Sequence, residues 1–271
     1  MRNYHYRLFV WAGILLMKAA HRRYLLGSTA LVTVMTVVVA DGAQAQQAVA
    51  YPNGTFGGFA GSKDGSGFAS ALGSWTTPLG PMVGGQIDGY AGVLDGQFMG
   101  QVAGHLFWRK PDTALYGLYT AWTQQFGQSA FRIGPEAEIY AGQFTLSGVG
   151  GVKTGDGDTT GFFQGKISYY ATPDTKFYGG GGYDDTGFGM VGVEHMFAST
   201  GLAGFAEARF GETTSAWAGL RFYFGAPGKS LESRDREDVA PLWMHMVKEP
   251  PTQAGTTVAP TTTPTPTTTN T

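Results

Sequence analysis

The sequence predicts an all-β fold, a transmembrane antiparallel up-and-down β-barrel of about twelve strands, with roughly ten to fourteen as the range. Three observations predict it. Between about Tyr51 and Phe224, apolar residues recur at a spacing of two in short runs broken by Gly, Pro and Asp, with no helical period. One face of each run is apolar and the other carries amides and charges, the reverse of what a soluble sandwich needs in its core. Composition agrees: 43 glycines in 271 residues and 14% charged residues depart from ordinary globular usage, which is roughly 7% Gly and about 25% charged.

Twelve runs satisfy the pattern in order. Gly54–Ser62 and Ser66–Thr76 are rich in glycine and weakly specified in register. Met82–Val93 places Val83, Ile87 and Val93 against Gln86 and Asp88, and Gln97–Arg109 places Val102, Leu106 and Trp108 against Gln101 and His105. Thr113–Thr123 follows. Ala130–Tyr140 contains Pro135, which has no ladder donor and predicts a bulge or an edge-like gap. After Gln143–Lys153, the run Thr160–Ala171 sets Phe163, Ile167 and Tyr169 against Gln164 and Lys166. Thr175–Tyr183, Phe188–Phe197 and Leu202–Phe210 lead to Ser215–Phe224, the clearest alternation, with Ala216, Ala218, Leu220, Phe222 and Phe224 on one face and Trp217, Gly219, Arg221 and Tyr223 on the other. A strand and its turn average about fourteen residues, which suits the ~9–11 that a membrane-crossing strand needs and leaves short turns.

The turns alternate in chemistry. Thr77–Pro81, Lys110–Asp112, Ala141–Gly142, Thr172–Asp174 and Ala198–Gly201 form one set, three of the five containing Pro, whereas the intervening turns contain none. The Pro-bearing set is assigned to the periplasmic end. Aromatic residues gather near both ends: Trp75, Trp108, Tyr169, Tyr170, Phe197, Phe222, Tyr223 and Phe224 on the Pro side, and Trp122, Tyr183, Phe188 and Phe210 on the other. Two interfacial belts are expected, with Trp75, Trp108, Trp122, Tyr169, Tyr183 and Phe197 as principal members.

Two flanks complete the chain. Residues 1–45 read as a signal peptide, with Lys18, His21, Arg22 and Arg23 before an apolar run from Leu25 to Ala40 and the cleavage triplet Ala43-Gln44-Ala45. The mature chain is expected to begin at Gln46, with Met17 an alternative true start. The barrel is assigned to 46–225. Residues 226–271 are expected to form a disordered periplasmic tail, charge-dense over Lys229–Asp238 and then Thr/Pro-rich, with an isolated Leu-Trp-Met patch between.

Gly219, Phe222 and Phe224, with their alternating neighbours, resemble the closing strand of Gram-negative outer-membrane β-barrel proteins of the porin-like kind. The resemblance implies residence in the cell outer membrane, contact with its lipid and an assembly signal read by the barrel assembly machinery. Here 47 residues follow Phe224, so that signal is internal. A periplasmic partner for the tail is an accompanying possibility.

The chemistry-bearing residues gather on the polar faces: Asp88, Glu136, Glu138, Glu194 and Glu207 against Arg132, Lys166, Lys176, Arg209 and Arg221. They are expected to line the lumen, either as a polar constriction or as a salt-bridged plug. Roughly twelve strands is the size at which neither outcome is dictated, between eight-stranded filled barrels and open 16–18-stranded porins. Glu194-His195 resembles the rim of a lipid A deacylase, in which a serine follows the histidine by two residues; Phe197 stands there instead, so no catalytic residue is assigned. Asp156-Gly157-Asp158 and Asp184-Asp185 are read as turns rather than Ca²⁺ loops, and no metal or cofactor is expected. A net charge of -2 disfavours nucleic acid, and the absence of cysteine excludes disulfides and thiol chemistry. The expected function is a narrow porin-like channel for small solutes or a structural membrane protein, not an enzyme. The alternatives are a lipid-modifying outer-membrane enzyme and a surface interaction protein.

Overall fold

A computed structural model describes residues 47–156, 158–197, 200–225 and 228–245; the expected signal segment and the Thr/Pro-rich residues 246–271 lie outside them. Twelve strands are formed: β1 (Asn53–Lys63), β2 (Ser66–Pro78), β3 (Val83–Leu94), β4 (Gln97–Lys110), β5 (Ala114–Gln125), β6 (Gln128–Ala141), β7 (Phe144–Gly155), β8 (Thr160–Thr172), β9 (Thr175–Asp184), β10 (Thr186–Met196), β11 (Leu202–Gly211) and β12 (Ser215–Phe224). Each pairs antiparallel with its sequence neighbours, and β1 closes on β12 from Gly54↔Phe224 to Lys63↔Ser215. Closure leaves no free edge, so every strand has a paired neighbour on both sides.

Turn chemistry fixes the register at one end. Lys63↔Ser66 and Leu94↔Gln97 flank the two-residue turns Asp64-Gly65 and Asp95-Gly96. Both central residues of each turn have positive φ (49° and 89°, 49° and 74°). This is the type I′ geometry whose twist matches that of paired strands and which Asp-Gly adopts readily. Pro135 produces a gap and no bulge. It stays in register with Leu118 of β5, whereas β6 and β7 pair at Ile133↔Val152 and resume at Glu136↔Val149 with the register unchanged. One register shift does occur elsewhere, between Tyr170 and Thr172 on β8.

The two faces separate as the alternation requires. Ile87, Val102, Leu106, Phe163, Ile167 and Leu220 stand outward, each more than half exposed. Trp75, Trp122, Tyr169, Tyr183 and Phe197 of the belts are also exposed, and Trp108 stacks against Tyr116. Tyr170, Tyr223 and Phe188 depart from the expected belts. Tyr170 and Tyr223 are buried inside the barrel, and Phe188 lies under the Arg209 guanidinium. They occupy inward positions of the alternation, which counting aromatics near strand ends does not distinguish.

The expectation of a disordered tail from residue 226 is overturned over 228–245. A short helix α1 (Leu231–Glu237) is capped by Ser230, whose hydroxyl accepts from the Ser233 N–H, and an extended stretch runs on to His245. Leu231, Val239, Ala240, Trp243 and His245 are buried within the barrel. A free tail of this composition has too little apolar surface to order itself. The barrel interior supplies the missing wall.

Candidate functional site

Strand alternation carries the sequence-predicted charges into the lumen. Asp88, Arg132, Glu136, Glu138, Glu194 and Arg209 are buried there, with Lys166, Glu207 and Arg221 half-buried. Most are joined in pairs. Glu194 receives Lys176 Nζ at 2.9 Å and Arg221 Nε at 3.2 Å, and accepts from the Tyr223 hydroxyl at 2.9 Å. Arg209 lies 2.7 Å from Glu207, which also accepts from Tyr178, and Arg132 lies 2.9 Å from Asp184. His105 bridges Asp88 and Glu136, one ring nitrogen to each, at 2.8 Å on both sides. Lys166 is held over aromatic rings, 5.2 Å from the centroid of Trp243 and 5.5 Å from that of Tyr178.

The C-terminal segment completes this interior. Leu231 and Val239 pack with Met196, Ala203 and Tyr223; Ala240 packs with Val49, Phe107, Leu115 and Tyr140; Trp243 packs with Ala103, Tyr119, Ala121, Val149 and Phe162. Met244 lies against a further cluster of Phe59, Phe68, Tyr90, Leu94, Met99, Phe205 and Trp217. Every apolar cluster of the described interior therefore receives a residue of the segment.

Polar contacts fix the same segment. The Trp243 indole N–H donates to Glu136 at 3.2 Å, so this carboxylate serves both the His105 bridge and the plug. His245 meets Asp184 at 2.9 Å through Nδ1 and Tyr119 at 3.1 Å through Nε2. At the other end of the segment, Asp235 accepts from Tyr170 at 2.8 Å and pairs with Lys176 at 2.7 Å. A residual lumen cavity of about 100 Å³ remains, bordered by Lys166, Tyr178, Glu194 and Trp243 among others. It has room for several waters.

Of the two outcomes left open for the lumen charges, the described state is the paired and filled one. The charged residues expected on the wall face inward in the structure, whereas Leu231, Asp235, Ala240, Trp243 and His245 were not among those the sequence singled out. Their one signal was the Leu242-Trp243-Met244 patch beside a charge-dense stretch, a local apolar element that a purely disordered tail does not need. The acidic turns are also engaged: Asp156 accepts from the Ser129 N–H and hydroxyl at 2.6 and 3.0 Å, and Asp185 pairs with Lys153. The Ser129 donors hold the Asp156 carboxyl below its ordinary value. His195 stands on the outer face, bound to Thr175 at 2.9 Å and edge-on to Phe197. Ser199 lies outside the described residues.

No protein-family model matches the sequence, and no curated protein matches it. Among solved structures, the chain is similar to KdgM porin, with 8% identity and a TM-score of 0.52 over 63% of this chain and 99% of that one. It is also similar to outer membrane phospholipase A from Escherichia coli, with 12% identity and a TM-score of 0.46 over 63% of this chain and 92% of that one. At these identities the likeness is one of architecture, and that architecture is the closed β-barrel of outer-membrane proteins.

Proposed function

We propose that the chain is an outer-membrane barrel acting as a narrow porin-like channel for small solutes, closed in its resting state by its own residues 231–245. The observation that carries this reading is the set of lumen clusters completed by Leu231, Val239, Ala240 and Trp243. A barrel built only as a scaffold gains little from a wall lined with charges and amides, whereas a water-filled passage needs such a wall once the segment withdraws. The segment joins β12 near Gly225 and Gly228, both at positive φ (92° and 79°), where glycine tolerates the change of direction that brings the chain back into the lumen. Gly219, Phe222 and Phe224 act as the internal signal for the barrel assembly machinery. The reading is non-enzymatic, with His195 on the outer face held by the Thr175 hydroxyl and the Phe197 ring.

Planar-bilayer conductance tests it. The full chain is expected to be closed or to open rarely, and a chain ending at Gly225 to conduct steadily. A truncated barrel that keeps its heat-modifiable gel mobility yet passes no current would reject the channel in favour of a structural barrel.

A further inference from the structure

The plug has a direction. Helix α1 sits at the end where β12 finishes: the Leu231 N–H donates to the Asp174 carboxylate at 3.1 Å and the Glu232 N–H to the Pro173 carbonyl at 2.9 Å, both acceptors in the β8–β9 turn. Ala240 then meets Gln86, three residues into β3. His245 ends beside Gln125 and Asp184, the last residues of β5 and β9, at the opposite rim. From Val239 to His245 an extended chain covers up to roughly 20 Å, so the segment passes lengthwise through the barrel.

The wall holds this stretch chiefly by its main chain. The Gln86 side-chain amide donates to the Ala240 carbonyl at 3.3 Å and accepts from the Ala240 N–H at 2.8 Å. Gln101 repeats the device, donating to the Trp243 carbonyl at 2.6 Å and accepting from the His245 N–H at 3.1 Å. Arg109, Arg209, Tyr90 and Gln125 donate to the carbonyls of Val239, Met244 and His245. Side-chain amides thus take the place of a neighbouring strand, and the interior is lined as a conduit for an extended polypeptide.

We propose that the barrel is threaded by its own C-terminal segment, so that the residues after His245 leave at the rim formed by the turns Asp64-Gly65, Asp95-Gly96 and Phe126-Gly127. On the outer-membrane reading above, with the Pro-bearing turns periplasmic, that rim faces the cell exterior. The 26 residues that follow His245, eleven of them Thr and five Pro, are then displayed outside the cell and not held in the periplasm. Only Lys248 and Glu249 among those 26 are Asp, Glu, Lys or Arg, so the lumen charges place little electrostatic obstacle in the path of the chain.

The chain contains no cysteine, so single introduced thiols report location without background. Three full-length variants suffice: Thr262→Cys in the tail, Thr159→Cys in the β7–β8 turn and Asp112→Cys in the β4–β5 turn. Intact cells are treated with a membrane-impermeant maleimide, before and after permeabilisation of the outer membrane. T262C is expected to label in intact cells to within about two-fold of T159C, while D112C labels only after permeabilisation. If T262C instead follows D112C, the tail does not cross the lumen and the proposal is overturned. If D112C labels and T159C does not, the barrel is inverted and the outward display is wrong; threading then stands or falls on whether T262C still groups with T159C. Equal labelling of T159C and D112C in intact cells rejects the outer-membrane reading and, with it, the display.

Discussion

Arg209 and Arg221 illustrate what a charge costs inside a filled barrel. Each sits against a glutamate on the lumen wall, and each guanidinium also lies over a ring, Arg221 4.3 Å from the Phe205 centroid and Arg209 5.3 Å from that of Trp217. Removing one partner of a buried pair typically costs ~3–5 kcal/mol, because the remaining ion stays desolvated. Arg221→Ala is expected at the lower end, since Glu194 keeps Lys176 and the Tyr223 hydroxyl. Arg209→Ala also strips a donor from the Met244 carbonyl and so loosens the plug. The double variant should unfold at lower urea concentration in detergent. Unchanged stability would mean that both side chains are hydrated, where such pairs contribute only ~0–1 kcal/mol. At Trp243 the effect should be selective. Trp243→Ala removes a buried ring and a donor to Glu136 at a cost of ~3–5 kcal/mol, borne by docking of the segment and not by the barrel. Limited proteolysis should therefore cleave near residues 238–245 in the variant while the strands stay protected; equal resistance to cleavage would refute that division.

Strand β12 carries the closure of the barrel. Phe222 and Phe224 meet Phe56 of β1 at ring-centroid distances of 5.4 and 6.3 Å, and Phe224 meets Trp75 of β2 at 5.8 Å, so the outward aromatics of three strands form one patch at the Pro-bearing end. Replacing both with Asp places two charges on the lipid face, at a cost that falls from ~2–4 kcal/mol at the midplane for basic residues to ~0–1 at the interface and is smaller for acidic ones. The larger effect is expected on assembly. Outer-membrane levels of Phe222→Asp/Phe224→Asp, measured by immunoblot of fractionated cells, should fall several-fold, and wild-type levels would show that the patch is not the signal. The period-2 pattern of this strand was legible because every second residue from Ala216 to Phe224 is apolar. Helix α1 was not: seven residues, Leu231–Glu237, are too few for an isolated helix in water. Its order comes from Pro173, Asp174, Lys176 and Tyr170 on the barrel.

For the whole molecule, closure of β1 on β12 and an apolar outer surface predict recovery with outer-membrane fractions and a heat-dependent gel mobility; a detergent-free soluble form would contradict both. Sequence by itself determined the class of fold, an approximate strand count and the alternation of faces and turns, because each follows from local rules: a side-chain period of two and the turn preference of Pro-Asp. It also placed Asp88, Glu136, Glu194, Arg209 and Arg221 on the wall, since facing is a property of position within a run. That residues 231–245 occupy the space this wall encloses is visible only in three dimensions. Ala240 and Trp243 are close in the chain to a polar tail and distant from the strands they pack against, and burial depends on which surfaces meet. A tail that cannot bury enough apolar area on its own becomes ordered when a half-filled barrel, built from strands far earlier in the chain, offers Tyr119, Phe162 and Glu136 as its partners.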